Sequence, residues 1–308
     1  MKFKNLLEVL TFFNNKEVAI EYLIKWRWHG KPRCPHCKND KKKIYEYKGK
    51  EHRFKCSKCK KQFSVLKGTI FENTSIPLHK WFAVMYILTS HKKGISSYQV
   101  ARDLSITQKS AWFMLQRIRH ALAIGNIDTQ LEDTVEIDET YVGGKNKNRH
   151  YDKKVRNSQG RSWKDKTPVL GLLQRNGELR VFKISNVERK TLLPIIKANI
   201  KKGSKVMTDE WRSYSRLSKR YDHRVVYHGR GQYVEGINHT NTMEGGWSLL
   251  KRSITGIYHQ VSRKHLDKYL DEFAFRYNTR EMEDVDRFES VFSSIERRLS
   301  FKELTTKV

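Results

Sequence analysis

The second half of the chain alternates apolar strands with amphipathic helices. In TVEIDETYV (134–142), Val135 and Ile137 fall on one face of a strand, and Glu136 and Asp138 fall on the other. Two apolar runs then flank an Asn-Gly pair, which is typical of a hairpin. Helix, strand, helix, strand and helix follow. The pattern predicts a mixed α/β sheet flanked by helices, whose first and fourth strands can lie side by side. The predicted strands and helices cover 134–142, 167–174, 178–185, 187–200, 205–211, 223–228 and 240–254.

The region before this half is helical. Residues 78–90 predict one buried helix, and residues 94–122 have the pattern of a helix, a short turn and a second helix. Apolar residues at helical spacing give the second helix a core face and leave its polar side chains outward. This is typical of a helix-turn-helix that presents its second helix to a DNA groove, although an ordinary helical hairpin has the same pattern. The outward residues are Gln108, Lys109, Ser110, Arg117 and Arg119.

Four cysteines form two CxxC pairs upstream of these helices. Cys34 and Cys37 are separated from Cys56 and Cys59 by 18 residues, the spacing of a closed, structural Zn²⁺ site with four thiolate ligands. Two disulfides are the alternative, which a reducing cytosol disfavours. His36 could be a ligand in principle, but four thiolates already complete the coordination shell. Since the intervening residues alternate apolar and polar around a glycine, we predict a zinc ribbon with a β-hairpin.

The charge of the chain narrows the choice of partner. It has 62 Lys and Arg against 33 Asp and Glu, a net charge of +29 spread along 308 residues, which indicates a polyanionic partner. Nucleic acid is the leading candidate. A membrane surface would attract the same charge, but no stretch approaches the ~20 apolar residues that span a bilayer. The first residues, MKFKNLLEVLTFF, predict an amphipathic helix rather than a signal peptide. We therefore expect a cytoplasmic protein that binds double-stranded DNA and no membrane.

Acidic residues follow two of the predicted strands. Asp138 is expected at the end of the first strand and Asp209 at the end of the fourth, so parallel neighbours would bring both carboxylates to one edge of the sheet. Glu244 lies on the following predicted helix, which could cross that edge. Taken singly, each acid is more often a solvated surface charge. Three converging oxygen ligands would hold one or two Mg²⁺ ions, which support in-line displacement at phosphorus.

Several segments stand in a recognisable order: EYLIKWRW with the two CxxC pairs, VEIDETYVGGK, MTDEW, HTNTMEGGWSLLKR and GIYHQVSRKHLDKYLDEFAFRYN. Over about residues 17–280, the chain resembles the zinc-ribbon-bearing bacterial insertion-sequence transposases with a DDE catalytic domain. This resemblance implies an RNase H-like catalytic fold that cuts and joins DNA at the ends of the element. By motif, Asp138 and Asp209 match the two aspartates and Glu244 matches the final acid. Some relatives have asparagine as the third residue, so Asn241 is the alternative third ligand.

The resemblance also implies a role for each of these residues in metal binding or DNA binding. Asp138 would bridge two Mg²⁺ or Mn²⁺ ions, and Asp209 and Glu244 would each complete one coordination sphere. Water would release a 3′-hydroxyl at the element end, and this hydroxyl would then attack a target phosphodiester. Lys251, two helical turns after Glu244, matches a lysine that accompanies the acid. Lys251 and Arg252 would hold backbone phosphate, or else form a solvated basic face.

Residues near Asp138, Asp209 and Glu244 leave alternative ligands and roles open. Three glutamates adjoin the two aspartates and could replace them as ligands, although they fit the motif less well. Trp247 is predicted to lie in the core or between helix and sheet, and a stacking platform for a flipped base is its alternative. The three glutamates are Glu136, Glu139 and Glu210.

The predicted elements group into five segments. Residues 17–28 are expected to pack beside the ribbon, 143–166 form a basic insertion that could order against DNA phosphates, and 265–278 form a closing helix. The segments are an N-terminal helical segment (1–30), the zinc ribbon (31–66), a helix-turn-helix-like DNA-binding module (67–125), the RNase H-like catalytic domain (132–285) and a C-terminal tail (286–308).

Three functional classes fit these observations. The favoured one is a DNA transposase that cleaves element ends and transfers the 3′-hydroxyl strand to target DNA. A DNA-binding regulator derived from a transposase would lack the chemistry, and an RNase H-like nuclease would cut without joining. Because transposition pairs two DNA ends, the family resemblance also implies a homo-oligomer on DNA.

Overall fold

The structure is a computed structural model, and it separates into two compact units. Unit 1 comprises Met1–Leu122 together with Glu281–Val308, and unit 2 comprises Ala123–Arg280. Within the part of the chain that the structure describes, no helix is both long and apolar enough to cross a bilayer. The described residues are 3–39, 42–47, 52–123, 129–143, 146, 150–156, 165–227 and 239–306.

The elements follow the chain in the predicted order with one difference: the predicted helix between the strands at 205–211 and 223–228 consists of two 3-10 turns, Arg212–Tyr214 and Leu217–Lys219. The α-helices of the described residues are α1 (Leu6–Phe12), α2 (Lys16–Trp28), α3 (Leu78–Ser90), α4 (Ser97–Leu104), α5 (Gln108–Leu122), α6 (Arg189–Asn199), α7 (Asn241–Ser253), α8 (Leu266–Asn278), α9 (Asp284–Val291) and α10 (Phe301–Thr305). The strands are β1 (Ile44–Glu46), β2 (Arg53–Cys56), β3 (Gln62–Ser64), β4 (Thr134–Val142), β5 (Thr167–Gln174), β6 (Leu179–Lys183), β7 (Lys205–Asp209) and β8 (Asp222–Val226).

A three-stranded antiparallel sheet, β1-β2-β3, forms the ribbon of unit 1. Helix α2 ends beside it, and the ring of Trp28 meets Phe54 and Phe63 edge-on at centroid distances of 5.7 and 5.9 Å. Such aromatic contacts bury large apolar areas in a module too small for a core of its own. The prediction that residues 17–28 pack beside the ribbon is confirmed. The predicted glycine turn of the hairpin and part of the basic insertion 143–166 lie outside the described residues.

Residues 286–308 are not a simple tail. Helix α9 packs against α3, and Phe288, which is fully buried, contacts Phe13 and Phe82. The backbone N–H of Ile70 also donates to the carbonyl of Ile295 at 2.9 Å. The last described residues therefore complete the core of unit 1. The sequence predicts that the catalytic domain extends to residue 285. Unit 2 ends at Arg280 instead, because the residues from Glu281 onward belong to unit 1.

Helices α4 and α5 form the predicted helix, turn and helix. Ser96 caps α4 by accepting from the Gln99 N–H, and Ser105 adopts a left-handed conformation that ends it. The expectation that Arg117 and Arg119 point outward is wrong, because their exposed fractions are 4% and 1%. Arg117 donates to backbone carbonyls of Ile70, Glu72 and Leu299, so its guanidinium joins three segments of unit 1.

Unit 2 is built on a five-stranded sheet of order β6-β5-β4-β7-β8. The β4–β5 and β5–β6 pairs are antiparallel, whereas β4–β7 and β7–β8 are parallel, which is the RNase H-like arrangement. The predicted hairpin and the predicted adjacency of the first and fourth strands are both confirmed. Asn176 turns the hairpin with φ of 57°, a left-handed conformation that asparagine tolerates.

The strand alternation places two cores on opposite faces of this sheet. Val135 and Ile137 face a cluster that includes Leu192 and Ile196 of α6. The other face packs against α7 and α8, which contribute Met243, Trp247, Leu250, Leu266 and Phe273. Glu136 and Asp138 alternate with Val135 and Ile137, so they belong to the side covered by α7. The polar residues of β4 thus lie beneath a helix.

Candidate active site and zinc ribbon

Asp138 and Asp209 come together where the parallel pairing of β4 and β7 ends. The parallel register runs from Thr134 with Lys205 to Glu136 with Met207, and the same offset brings Asp138 beside Asp209. Asp209 ends β7, as predicted. Asp138 does not end its strand, because β4 continues to Val142 against β5. It lies at the end of the parallel pairing, which is the feature that brings the two carboxylates to one edge.

The two aspartates line one open pocket. Its other lining residues are Glu139, Tyr141, Val187 and Trp211. The Trp211 backbone N–H donates to Asp209 Oδ1 at 3.0 Å, which fixes one oxygen of this carboxylate. The Trp247 indole Nε1 donates to Asp138 Oδ2 at 3.0 Å. An N–H donor thus helps to orient each aspartate.

The pKa of Asp138 is raised from 3.8 to about 6. Burial is the main cause, and the negative charges of Asp209 and Glu244 add to it. The Glu139 backbone N–H and the Trp247 indole oppose the rise, because both stabilise the ionised form. Negative charge therefore accumulates at this edge of the sheet, which is the electrostatic condition that favours a bound cation.

This raised pKa predicts that Asp138→Asn stabilises unit 2 at pH 8 when no divalent metal is present. A carboxyl with a folded pKa above its ordinary value binds its proton more tightly in the folded state, so stability falls as pH rises from about 4 to 6. Removing the charge should raise the free energy of unfolding by up to about 3 kcal/mol at pH 8. Urea unfolding from pH 4 to pH 8 measures this, and the gain should vanish at the acidic end. A gain that does not vary with pH would contradict the electrostatic origin.

Glu244 lies in the first turn of α7 with its side chain exposed, and its Oε1 accepts from Thr240 Oγ1 at 3.4 Å. Its charge acts on Asp138, but it is not among the residues that line the pocket. In the described part of the chain, the three acids do not form a group whose oxygens all lie within 4.8 Å of one another. Asn241, the alternative third ligand, is exposed at the start of the same helix. The structure thus brings two predicted ligands to one pocket, and the identity of the third stays a prediction.

The predicted DNA-contacting residues belong to both units, two in each. Lys251 and Arg252 are exposed in the last turn of α7, and Arg252 Nε donates to the Ser248 carbonyl at 3.3 Å. Gln108 and Lys109 begin α5. Gln108 Nε2 donates to Ser97 Oγ at 2.9 Å, and Lys109 Nζ lies 5.4 Å from the centre of the Phe301 ring. Their roles on DNA stay predictions.

Two residues make contacts near Asp138 that the sequence pattern does not show. Glu136 was considered as a substitute ligand, but it is fully buried and both of its oxygens accept hydrogen bonds within unit 2. Trp247 is 3% exposed, which confirms its place between helix and sheet and excludes the stacking platform. Its bond to Asp138 was not foreseen. The strand alternation placed Glu136 on the same face as Asp138, and this was the one available sign of a linked role.

The four cysteines form a compact set in the ribbon. The Sγ atoms of Cys34 and Cys59 are 3.6 Å apart, those of Cys37 and Cys56 are 3.7 Å apart, and all four lie within 4.8 Å of one another. Sulfurs about 2.3 Å from a tetrahedral zinc ion would be about 3.8 Å apart, so the set fits structural Zn²⁺. Asn39 Nδ2 donates to Cys56 Sγ at 3.6 Å, as an outer hydrogen bond to a thiolate ligand would.

Comparisons with known proteins cover the regions that contain both sites. Residues 130–278 match the ISXO2-like transposase domain, and residues 14–62 match the transposase zinc-ribbon domain. An uncharacterized transposase-like protein of Haemophilus influenzae is 32% identical over 100 residues, which cover 32% of this chain and 80% of that protein. The chain belongs to this transposase family. Within the transposase, the first match contains Asp138, Asp209 and Glu244, and the second contains all four cysteines.

Further matches extend over most of this transposase. An uncharacterized protein in transposable element ISH50 of Halobacterium salinarum is 29% identical over 280 residues, which cover 88% of this chain and 93% of that protein. Among solved structures, the Mos1 strand transfer complex is 14% identical and covers 71% of this chain and 79% of that one. Its TM-score of 0.28 is too low for the likeness to carry weight.

Proposed function

We propose that the protein cuts DNA at the ends of an insertion sequence and joins the resulting 3′-hydroxyl to target DNA in a divalent-metal-dependent reaction. The observation that carries this proposal is the placement of Asp138 and Asp209 at one pocket of an RNase H-like sheet. Family membership supports the same reaction class. Glu244 adds to the negative charge at that pocket from the neighbouring helix.

The donor set fits a hard divalent cation. Carboxylate oxygens are the ligands that Mg²⁺ and Mn²⁺ prefer. Burial, with the charges of Asp209 and Glu244, raises the pKa of Asp138, and a bound cation would stabilise the ionised carboxylate. Asp138, Asp209 and Glu244 would hold the metal. Bound there, the metal would offset charge on the phosphate undergoing displacement.

The protein's own residues would orient the DNA and hold the carboxylates of Asp138 and Asp209 in place. Trp247 holds one oxygen of Asp138 and the Trp211 backbone holds one oxygen of Asp209, so neither carboxylate has to be reoriented when DNA arrives. Lys251 and Arg252 project from the exposed face of α7, where they would bind backbone phosphate. Gln108 and Lys109 would contact DNA at the start of α5.

The reaction has two displacement steps at phosphorus. In the first, water cleaves a phosphodiester and leaves a 3′-hydroxyl on the element end. In the second, this hydroxyl displaces the 3′-oxygen of a target phosphodiester, so one bond forms for each that breaks. No covalent enzyme intermediate is required. Because two element ends must be held together, we propose that the protein acts as a homo-oligomer on double-stranded DNA.

Strand transfer with a pre-cleaved oligonucleotide tests the proposal. A duplex that carries an element end with a free 3′-hydroxyl is incubated with target DNA and either Mg²⁺ or Mn²⁺. Joined products support the transposase. Hydrolysed ends alone would indicate a nuclease, and DNA binding without either product would indicate a regulator.

The third ligand can be assigned by comparing two variants. We expect Glu244→Gln to reduce joining by about 10²-fold or more, since it removes a charged oxygen ligand. Asn241→Ala should change joining by less than about threefold, because its side chain is exposed one turn away. Rates are measured at several Mn²⁺ concentrations. The reverse order of effects would assign Asn241 as the ligand.

A further inference from the structure

Glu136 is the second charged residue that β4 directs toward α7. It lies two residues before Asp138 on the same strand face and is fully buried. A buried carboxylate is costly unless it is paired and hydrogen-bonded. Its partners therefore indicate which parts of unit 2 depend on it.

The first partners of Glu136 belong to α7. Glu136 Oε2 accepts from the Met243 backbone N–H at 2.9 Å, and Oε1 accepts from Thr242 Oγ1 at 3.0 Å. Backbone N–H groups in the first turn of a helix have no partner within the helix, and negative charge is favourable there. Glu136 thus caps α7 from a neighbouring strand and holds its first turn.

Arg175 pairs with Glu136 and also bonds to the chain that enters α7. Its Nε donates to Glu136 Oε1 at 2.7 Å, and its Nη2 donates to the carbonyl of His239 at 2.7 Å, just before α7. The Arg175 backbone N–H also donates to the Thr134 carbonyl at 2.9 Å. The Glu136–Arg175 pair therefore connects the start of β4, the β5–β6 turn and the chain that enters α7.

A glycine sets how closely α7 approaches the sheet. Gly171 of β5 lies opposite Asp138 in the register. A Cβ at this position would be 2.6 Å from Met243 Cε and 2.6 Å from Trp247 Cζ2, closer than real Cβ atoms come. The missing side chain lets the Trp247 indole reach Asp138. Helix α7 is thus fixed at its first turn by Glu136 and along its length by Gly171.

We propose that the Glu136–Arg175 pair positions α7, so that Glu244 and Trp247 stand beside Asp138, and that divalent metal binding depends on this pair. Glu244 follows Met243 directly, so the bond from Met243 to Glu136 sets its position. Glu136 acts through α7 and is a positioning residue, because both of its oxygens are already engaged. The inference rests on the proposed function, in which Glu244 is a metal ligand.

The test measures Mn²⁺ binding without DNA, by electron paramagnetic resonance, and the rate of joining across Mn²⁺ concentrations. We expect Glu136→Gln to weaken Mn²⁺ binding about tenfold or more and to raise the half-saturating Mn²⁺ concentration for joining by a similar factor. High Mn²⁺ should restore much of the maximal rate. Thr242→Val removes one hydrogen bond from the same carboxylate with little change in shape. Thr242→Val should weaken Mn²⁺ binding and raise the half-saturating Mn²⁺ concentration by smaller factors than Glu136→Gln. If Glu136→Gln does not fold, Thr242→Val alone tests the inference.

Glu272→Gln is the matched control. Glu272 is equally buried in unit 2 and is paired with Arg276 and with the Tyr258 hydroxyl. This variant should lower thermal stability and leave the Mn²⁺ response unchanged. If Glu136→Gln and Thr242→Val keep wild-type Mn²⁺ binding, the inference is overturned while the proposed function stands. Wild-type protein that binds Mn²⁺ but joins no DNA would contradict the proposed function alone, and wild-type protein that binds no Mn²⁺ would contradict both.

Discussion

Asp138→Asn is expected to abolish both DNA cutting and DNA joining, with losses of about 10³-fold or more, while affinity for DNA stays within about twofold. Asparagine keeps the shape of the side chain and can still accept from the Trp247 indole. It removes the charged oxygen that we place at the centre of the metal-binding set. Because the net charge of +29 is spread along the chain, we expect the affinity for DNA to be almost unaffected.

Cutting is measured on an intact element end, joining on a pre-cleaved end, and affinity by fluorescence anisotropy at fixed salt. Asp222→Asn is the control, since Asp222 is an exposed acid on β8 of the same sheet, paired with Arg224. The control should keep both activities. Wild-type joining by Asp138→Asn would remove the assignment of this residue.

Cys34→Ser is expected to remove bound zinc and unfold the ribbon. Structural zinc contributes on the order of 10 kcal/mol to the folding of small domains, and the ribbon, with aromatic contacts among Trp28, Phe54 and Phe63, is too small for a core of its own. Without the metal, Trp28 would lose its contacts with Phe54 and Phe63, so the end of α2 should also become less ordered. We expect unit 2 to keep its fold, because its cores contain no residue of the ribbon.

Zinc content by mass spectrometry and hydrogen exchange of residues 53–64 test this expectation. His36→Ala is the matched change inside the same CxxC pair, because the His36 ring contacts the Gln62 carbonyl at 3.2 Å and not the cysteine set. It should retain full zinc content. An unchanged zinc content in Cys34→Ser would show that the four thiolates do not bind the metal.

Local patterns predicted the elements of unit 2 and the ribbon well. The alternation of TVEIDETYV follows directly from a strand with one face on α6 and the other beneath α7. The Asn-Gly pair specified the hairpin because asparagine tolerates the left-handed turn conformation. The cysteine spacing is sufficient for a four-thiolate set because the ribbon strands bring the two pairs together.

Contacts between distant residues could not be predicted in the same way. The helical spacing of the apolar residues in α5 predicts an outward Arg117, yet its partners include Leu299, 182 residues away. The bond from Met243 to Glu136 spans 107 residues. A single sequence shows the periodicity of an element, but it does not show which distant carbonyl or N–H a polar side chain meets, and such a partner can bury a residue that the pattern places outward. The same limit applies to Phe288, whose core partners lie in the first part of the chain.

The division of unit 1 between both parts of the chain has a consequence for biosynthesis. Helix α9 and Phe288 reach the ribosome exit long after α3, whereas unit 2 is continuous and is synthesised in between. Domains generally fold as units during translation, so unit 2 can fold before unit 1 has received its last helices. We expect nascent chains to contain a folded unit 2 while α3 still lacks α9, so a product truncated at Arg280 would lack the helix that completes the core of unit 1.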